Sequence, residues 1–307
     1  MIRFIAVRLL QSIIALFGIM VMVFFLVRAS GNPIDIIQSP TWSPEMRENV
    51  QKQLGLDKSY AEQFVIYLRN FISGDFGKSF MQDRPVIVMI GEALPNTLKL
   101  GLPSFFIGMF LALALGVLAA TRRDTILDNG VKFVAVLGQA LPGFWVAILA
   151  VIIFSVHWEL LPAQGMDTPL NYVLPVGTMV FFMLPGMMRL VRSSMLDVLD
   201  SEYIKLARIK GLPERIVIWK HALRNALISP LTTAGMIFAG IIGGAIMTEN
   251  IFNWPGMGRL ALGSTVARDF PVVQTITILV AVMVLLMNLI VDITYAYVDP
   301  QIRFEKT

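Results

Sequence analysis

Six apolar runs, each close to the length that crosses a bilayer, constrain this chain more than any other feature. They cover residues 9–27, 98–120, 133–156, 172–190, 227–247 and 272–298. About 20 helical residues span roughly 30 Å of hydrocarbon. Lipid offers the backbone no hydrogen-bond partner, so a spanning segment is a helix or a strand of a closed barrel. Barrel strands would read as alternating segments of about 10 residues, and these runs do not alternate. The expected fold class is all-α: a polytopic membrane protein with six transmembrane helices. Composition agrees, since 15% of the 307 residues are charged against about 25% in an ordinary soluble domain. The first run follows Arg3 and Arg8 and could be a secretory signal. It is long for one, and Ala29-Ser30-Gly31 makes a weak cleavage site, so an uncleaved span is expected.

Several function classes drop out on composition. The chain has no cysteine, which removes disulfides, iron–sulfur clusters, thiolate zinc and a cysteine nucleophile. His157 and His221 are its only imidazoles, too few for a histidine-rich metal site. The net charge of +4 is small and scattered, which argues against nucleic acid as a partner. No metal site is expected; His157 with Glu159 is a weak candidate for a cation, and the methionines read as packing or lipid-facing residues.

Loop charge sets the expected orientation. Residues 30–96 carry six basic against eight acidic side chains, whereas 189–224 carry eight basic against four acidic. Arg122, Arg123 and Lys132 add to the 121–132 turn. Basic flanks stay cytoplasmic, so both termini, this turn and the 192–226 loop are expected inside. The expected organisation is a first span (1–29), an extracytoplasmic helical segment (30–96) and a core of five spans (97–307). In the outer segment, Ser43-Pro44-Glu45 reads as a helix start and Leu54-Gly55 as a stop. A second helix is expected over 61–72, with Phe64, Tyr67, Leu68 and Phe71 on one face.

The 201–226 loop is the most informative stretch. Glu202, Lys205 and Ala207 lie on a helical segment that Gly211 ends, and Leu212-Pro213 leads into a second helix toward Arg224. Two short helices at a glycine turn could form a rigid knob, or both could lie in the lipid headgroups as basic amphipathic helices do; the pattern leaves the choice open. The run 202–212, followed by His221-Ala222-Leu223-Arg224-Asn225-Ala226-Leu227, resembles the coupling loop of ABC importer permeases, in the branch for dipeptides, oligopeptides and nickel. Gly74-Asp75-Phe76-Gly77-Lys78-Ser79 with Arg84-Pro85-Val86, the stretch Glu249–Gly258, Asn288–Asp292 and Asp299-Pro300-Gln301-Ile302-Arg303 are similar to the same branch. One departure stands out: the signature begins Glu-Ala-Ala, and here the corresponding residues are Lys205-Leu206-Ala207.

The resemblance implies a type I importer permease fold and a subunit that does no chemistry. It implies a second permease subunit, two ATP-binding cassette subunits holding ATP and magnesium, and an extracytoplasmic substrate-binding protein, all at a bacterial cytoplasmic (inner) membrane with its lipid. Ala207 and Gly211 would lie where the loop enters a cleft on the ATPase. No cofactor is expected on this chain itself. Di- or oligopeptides are the expected cargo, with nickel or opine-like solutes as alternatives.

The remaining motifs are read residue by residue. Gly77-Lys78-Ser79 suggests a phosphate loop, but the required earlier glycine is Ile72 and no strand precedes it. Glu249, Asn250, Trp254, Pro255, Gly256 and Gly258 form a tight outer turn: a gate over the path, or an interfacial anchor for Trp254 with Ile251 and Phe252 on the membrane boundary. Gln139 sits before Leu141-Pro142-Gly143, which should loosen the third helix, and Arg189 ends the fourth span. Asn288 and Asp292 share a helix face, for helix–helix bonding or for substrate. Gly240 and Gly244 have the spacing for close helix packing. An ion-driven secondary transporter would show more buried carboxylates and internal repeats. A membrane-embedded enzyme would need a catalytic pair that the spans do not contain.

Overall fold

Small residues decide how the helices of this chain meet. The computed structural model describes residues 2–29, 31, 34, 45, 48, 51–52, 55–242 and 246–298. These form α1 (Ile2–Ala29), α2 (Tyr60–Ser73), α3 (Val86–Thr121), α4 (Ile126–Ala140), α5 (Gly143–Ala150) and α6 (Val173–Leu199). They continue with α7 (Glu202–Ile209), α8 (Glu214–Ile216), α9 (Leu223–Ala226), α10 (Ile228–Ile242), α11 (Ile246–Ile251), α12 (Met257–Val266) and α13 (Phe270–Val298). Wide π-type turns follow α5 (Val151–His157) and α8 (Val217–Ala222), and a 3-10 turn, Pro169–Tyr172, precedes α6. The β structure among the described residues is one bridge, Lys78 to Pro85.

Five stretches are long and apolar enough to cross a membrane, and α4 with α5 makes a sixth if counted as one bent span. The sequence reading took 133–156 as a single helix. The structure bends it by 96° at Leu141-Pro142. Leu141 is held extended (φ −92°, ψ 128°) before a proline with no N–H to continue the helix. Two boundaries also shift. α3 begins at Val86, inside the expected outer segment, and α6 runs to Leu199, inside the expected loop.

Along α3, Gly101, Ser104, Gly108, Ala112 and Gly116 recur at three- and four-residue spacing and are all buried. A Cβ on Gly108 would stand 2.1 Å from the Met183 methyl, and one on Gly116 2.9 Å from the Met188 carbonyl. The stripe therefore lets α6 approach to backbone distance, the packing that substitutes for a hydrophobic force inside lipid. The methionines of α6 (Met183, Met187, Met188, Met195) fill the remaining space. The packing glycine on α10 is Gly235, against Val291 of α13. Gly240 meets open space, and Gly244 lies outside the described residues.

The foot of α6 is fixed by a buried ion pair. Arg192 Nε and Nη2 donate to the two carboxylate oxygens of Asp128 at 2.6 and 2.9 Å, and Lys132 approaches the same group at 3.0 Å. Asp128 is fully buried in the first turn of α4. At the same end of the bundle, Arg8 of α1 pairs with Asp292 of α13 at 3.2 Å. The expected helix 61–72 is present as α2, with a Ser59–Glu62 capping box and Gly74 closing it at φ 75°. Its Phe64 ring packs edge-on between Phe17 and Phe24 of α1. Ser43, Pro44 and Leu54 lie outside the described residues, as does 299–303.

Candidate functional site

Three places gather the residues singled out in the sequence: a helical hairpin at the foot of α6, a cradle around α11, and one open face of α6. The hairpin is built around Gly211. Ser201 starts α7, Lys210 caps it, and Gly211 turns the chain at φ 78°. Its N–H donates to the Arg208 carbonyl at 2.9 Å, and that of Leu212 to Ala207 at 3.3 Å. Pro213 is the N-cap of α8 and leads into it as expected.

Three side-chain hydrogen bonds brace the hairpin. Arg208 donates twice to the Glu214 carboxylate, at 2.7 and 3.1 Å, and Asn225 donates to the Tyr203 hydroxyl at 2.8 Å. The Arg208 guanidinium holds the Glu214 carboxyl below the ordinary carboxylate range. Ile204, Ala207, Val217 and Ala222 are buried in the core that continues up α6. Ala207 therefore packs within its own chain, on the face of α7 that joins this core. The outer surface of the knob carries Leu206, Ile209, Leu212, Ile216 and Trp219, all exposed, with Glu202, Lys205 and Pro213 around them. Lys205 is paired with Glu202 at 2.8 Å. The two helices share one buried core.

At the other end, Glu249 is fully buried. Thr97 Oγ1 donates to its Oε1 at 2.7 Å and the Arg259 N–H to its Oε2 at 3.0 Å, while Met257 N–H donates to Thr97 at 2.7 Å. Trp254 is buried too. Its indole N–H donates to the Asn96 carbonyl at 2.8 Å, and its ring meets Tyr172 edge-on at 4.8 Å. Phe252 is buried beside it, its carbonyl accepting from Gly165 at 3.1 Å. The expectation that Phe252 and Trp254 rest on the membrane boundary fails, because Ala147 of α5 and Leu174 of α6 pack with Phe252, while Asn96 of α3 and Tyr172 hold Trp254. Asn250 is exposed and bonds its own helix at Ile246, and Pro255 is exposed at the rim. An open cleft of about 500 Å³ adjoins the cradle, lined in part by Arg84, Glu92, Asn96, Pro255 and Arg259.

Glycine is required at two points of this cradle. A Cβ on Gly256 would lie 2.5 Å from the Glu249 carboxyl, and one on Gly258 2.7 Å from the Cα of Ile246. The second neighbour is backbone and cannot rotate aside. Gly258→Ala is therefore expected to cost about 1–3 kcal/mol and to speed hydrogen exchange at the Met257 and Arg259 amides. Native exchange rates there would contradict the packing described.

The Gly74–Ser79 motif has a structural task. Ser79 Oγ donates to Asp269 Oδ2, and Phe80 N–H donates to Asp269 Oδ1 at 2.9 Å, with Ser79 and Asp269 both buried. The turn thus clamps the outer segment to the start of α13. Among intramembrane polar residues, Asp292 is engaged by Arg8, while Asn288 is exposed four residues away. Gln139 and Arg189 are both exposed, and the Gln139 amide lies 3.6 Å from where a Cβ on Gly186 would stand. Sequence reasoning missed Asp128 and Asp269. Both sit at the edges of apolar runs, but their partners are 64 and 190 residues away.

Comparison with known proteins places this geometry. Residues 112–304 match the family described as binding-protein-dependent transport system inner membrane component, and residues 1–101 match the N-terminal model of such membrane components. The oligopeptide transport system permease protein AppB of Bacillus subtilis is 37% identical, covering 97% of this chain and 98% of its own length. The glutathione transport system permease protein GsiC of Escherichia coli K12 is 38% identical, covering 99% of this chain and all of its own length. The MetNI methionine ABC transporter, solved in inward-facing conformations, shares the fold with a TM-score of 0.58 at 18% identity, over 69% of this chain and 97% of that one. With well over half its length matched by the family model, the chain belongs to the family of binding-protein-dependent transport system inner membrane components.

Proposed function

We propose that this chain is one of two permease subunits of an ATP-driven ABC importer for di- and oligopeptides, in a bacterial cytoplasmic membrane with both termini inside. It receives cargo from an external binding protein, pairs with a related permease to enclose the path, and performs no chemistry itself. ATP and magnesium belong to two partner subunits. The observation that carries this reading is the braced hairpin. It presents five exposed apolar side chains on a rigid knob, a patch that calls for a protein partner, and its core is continuous with α6. Motion of the knob is thereby transmitted to the spans as a rigid body.

The relatives named for oligopeptide and glutathione transport favour peptides over nickel or opine-like solutes. The ion-driven alternative loses its best starting point, since Asp292 is already paired with Arg8. Mass spectrometry of the tagged chain purified from native membranes in mild detergent tests the assembly. Two nucleotide-binding subunits and a second permease are expected. A chain that comes out alone, with no ATPase even after crosslinking at Lys210, would overturn the reading.

A further inference from the structure

α6 exposes a charge within an apolar, membrane-length stretch. Arg189 stands about one turn farther into that stretch than Arg192. Arg192 is neutralised by Asp128, whereas Arg189 makes no ion pair or hydrogen bond among the described residues and is exposed. Arg189 lies at the end of its apolar run, where an ionised group faces protein, a water-filled cavity or the headgroup region. Phe182, Gly186, Arg189 and Ser193 follow one another at three- and four-residue spacing on the exposed face. Gly186 leaves a notch there, and the Gln139 amide borders it from the break between α4 and α5. Irregular backbone at membrane depth is tolerated where it lines a cavity or is buried in protein; Gln139, Pro142 and Phe144 around this break are exposed.

The strip therefore offers a planar fork of guanidinium donors, whose geometry matches a carboxylate. Next to it is an amide that can donate and accept, as a peptide bond does. Gly186, exposed between them, carries no side chain. Resting on the peptide-import reading above, we propose that Arg189, with Gln139 at the Gly186 notch, forms a station on the translocation path that recognises the C-terminal carboxylate of the passing peptide. Every unmodified linear peptide carries that group, so the station selects for peptides as a class without selecting side chains. A carboxylate of the second permease would satisfy Arg189 equally, but it would give no use to the open notch or to the amide beside it.

The test uses the whole importer in liposomes with its binding protein, and compares uptake of trialanine with uptake of trialanine amide. The binding protein's own preference is common to all variants and cancels in the comparison. The acid-to-amide ratio of kcat/KM is expected to fall about tenfold in Arg189→Gln, a loss of about 1.4 kcal/mol of discrimination. Arg189→Lys, which keeps the charge but not the fork, is expected to restore only part of it. An unchanged ratio in Arg189→Gln overturns the proposal while leaving peptide import intact. Loss of the second permease on purifying Arg189→Gln also overturns it, by assigning Arg189 to the subunit contact. If the wild-type complex takes up neither compound, the peptide reading itself falls and this proposal falls with it.

Discussion

Gly211→Pro is expected to insert into the membrane at normal abundance and to reduce uptake to background. Gly211 sits at φ 78° and its N–H is bonded to Arg208. Proline fixes φ near −65° and has no N–H to donate. The turn must re-form with the opposite backbone sense, which swings α8 away from α7. That separates Arg208 from Glu214 and opens the buried contact of Ile204 and Ala207 with Val217. The spans do not depend on this turn, so insertion survives while the knob loses its shape. Gly211→Ala keeps the N–H and pays about 1–2 kcal/mol for the left-handed backbone, so it should lower uptake without abolishing it. Uptake into membrane vesicles, normalised to chain abundance, reads both. Normal transport by Gly211→Pro would remove the hairpin from the mechanism.

The second large effect lies at the foot of α6. Arg192→Ala leaves the fully buried Asp128 carboxylate with Lys132 as its remaining cation and the Asp124 N–H as its remaining backbone donor. Removing one member of a buried pair costs about 3–5 kcal/mol, and the remaining lysine places the expected loss near the lower end. Asp128→Asn combined with Arg192→Met removes both charges and should recover part of that stability, as a double-mutant cycle measures. Thermal unfolding of the purified importer in detergent is the readout. Arg192→Ala melting with the wild type would mean the pair contributes little. The pair anchors the 121–125 turn to α6 just above the hairpin, where Arg123 also reaches Asp200 at 3.6 Å. A loosened foot should therefore weaken coupling at temperatures where the spans remain folded.

How much of this could be read beforehand follows from the range of the forces involved. Spans were legible because hydrocarbon thickness acts on consecutive residues, and the hairpin was legible because a glycine stop and a proline start act locally. The 96° bend was half legible: Pro142 marks a break, but no local rule gives its angle. The stripe Gly101–Gly108–Gly116 escaped notice because small residues in an apolar run look like filler until their neighbours on α6 and α10 are known. The anchor reading of Trp254, one of two left open, rested on residue type, while Tyr172 and Asn96, far away in sequence, bury it. Arg189 and Gln139 were flagged as costly. Only the fold puts both beside Gly186.

The clamp between Ser79 and Asp269 carries a consequence for how the protein is made. Its two halves are separated by 190 residues, so a nascent chain presents Ser79 and the Phe80 amide long before their acceptor leaves the ribosome. Trp254 likewise reaches Asn96 only after 158 further residues. Until Asp269 has been made, the 74–80 turn lacks this anchor, although α2 can already pack against α1. The completed chain closes both connections together. Surveillance by degradation would then sort finished subunits from truncated ones before either could be assembled.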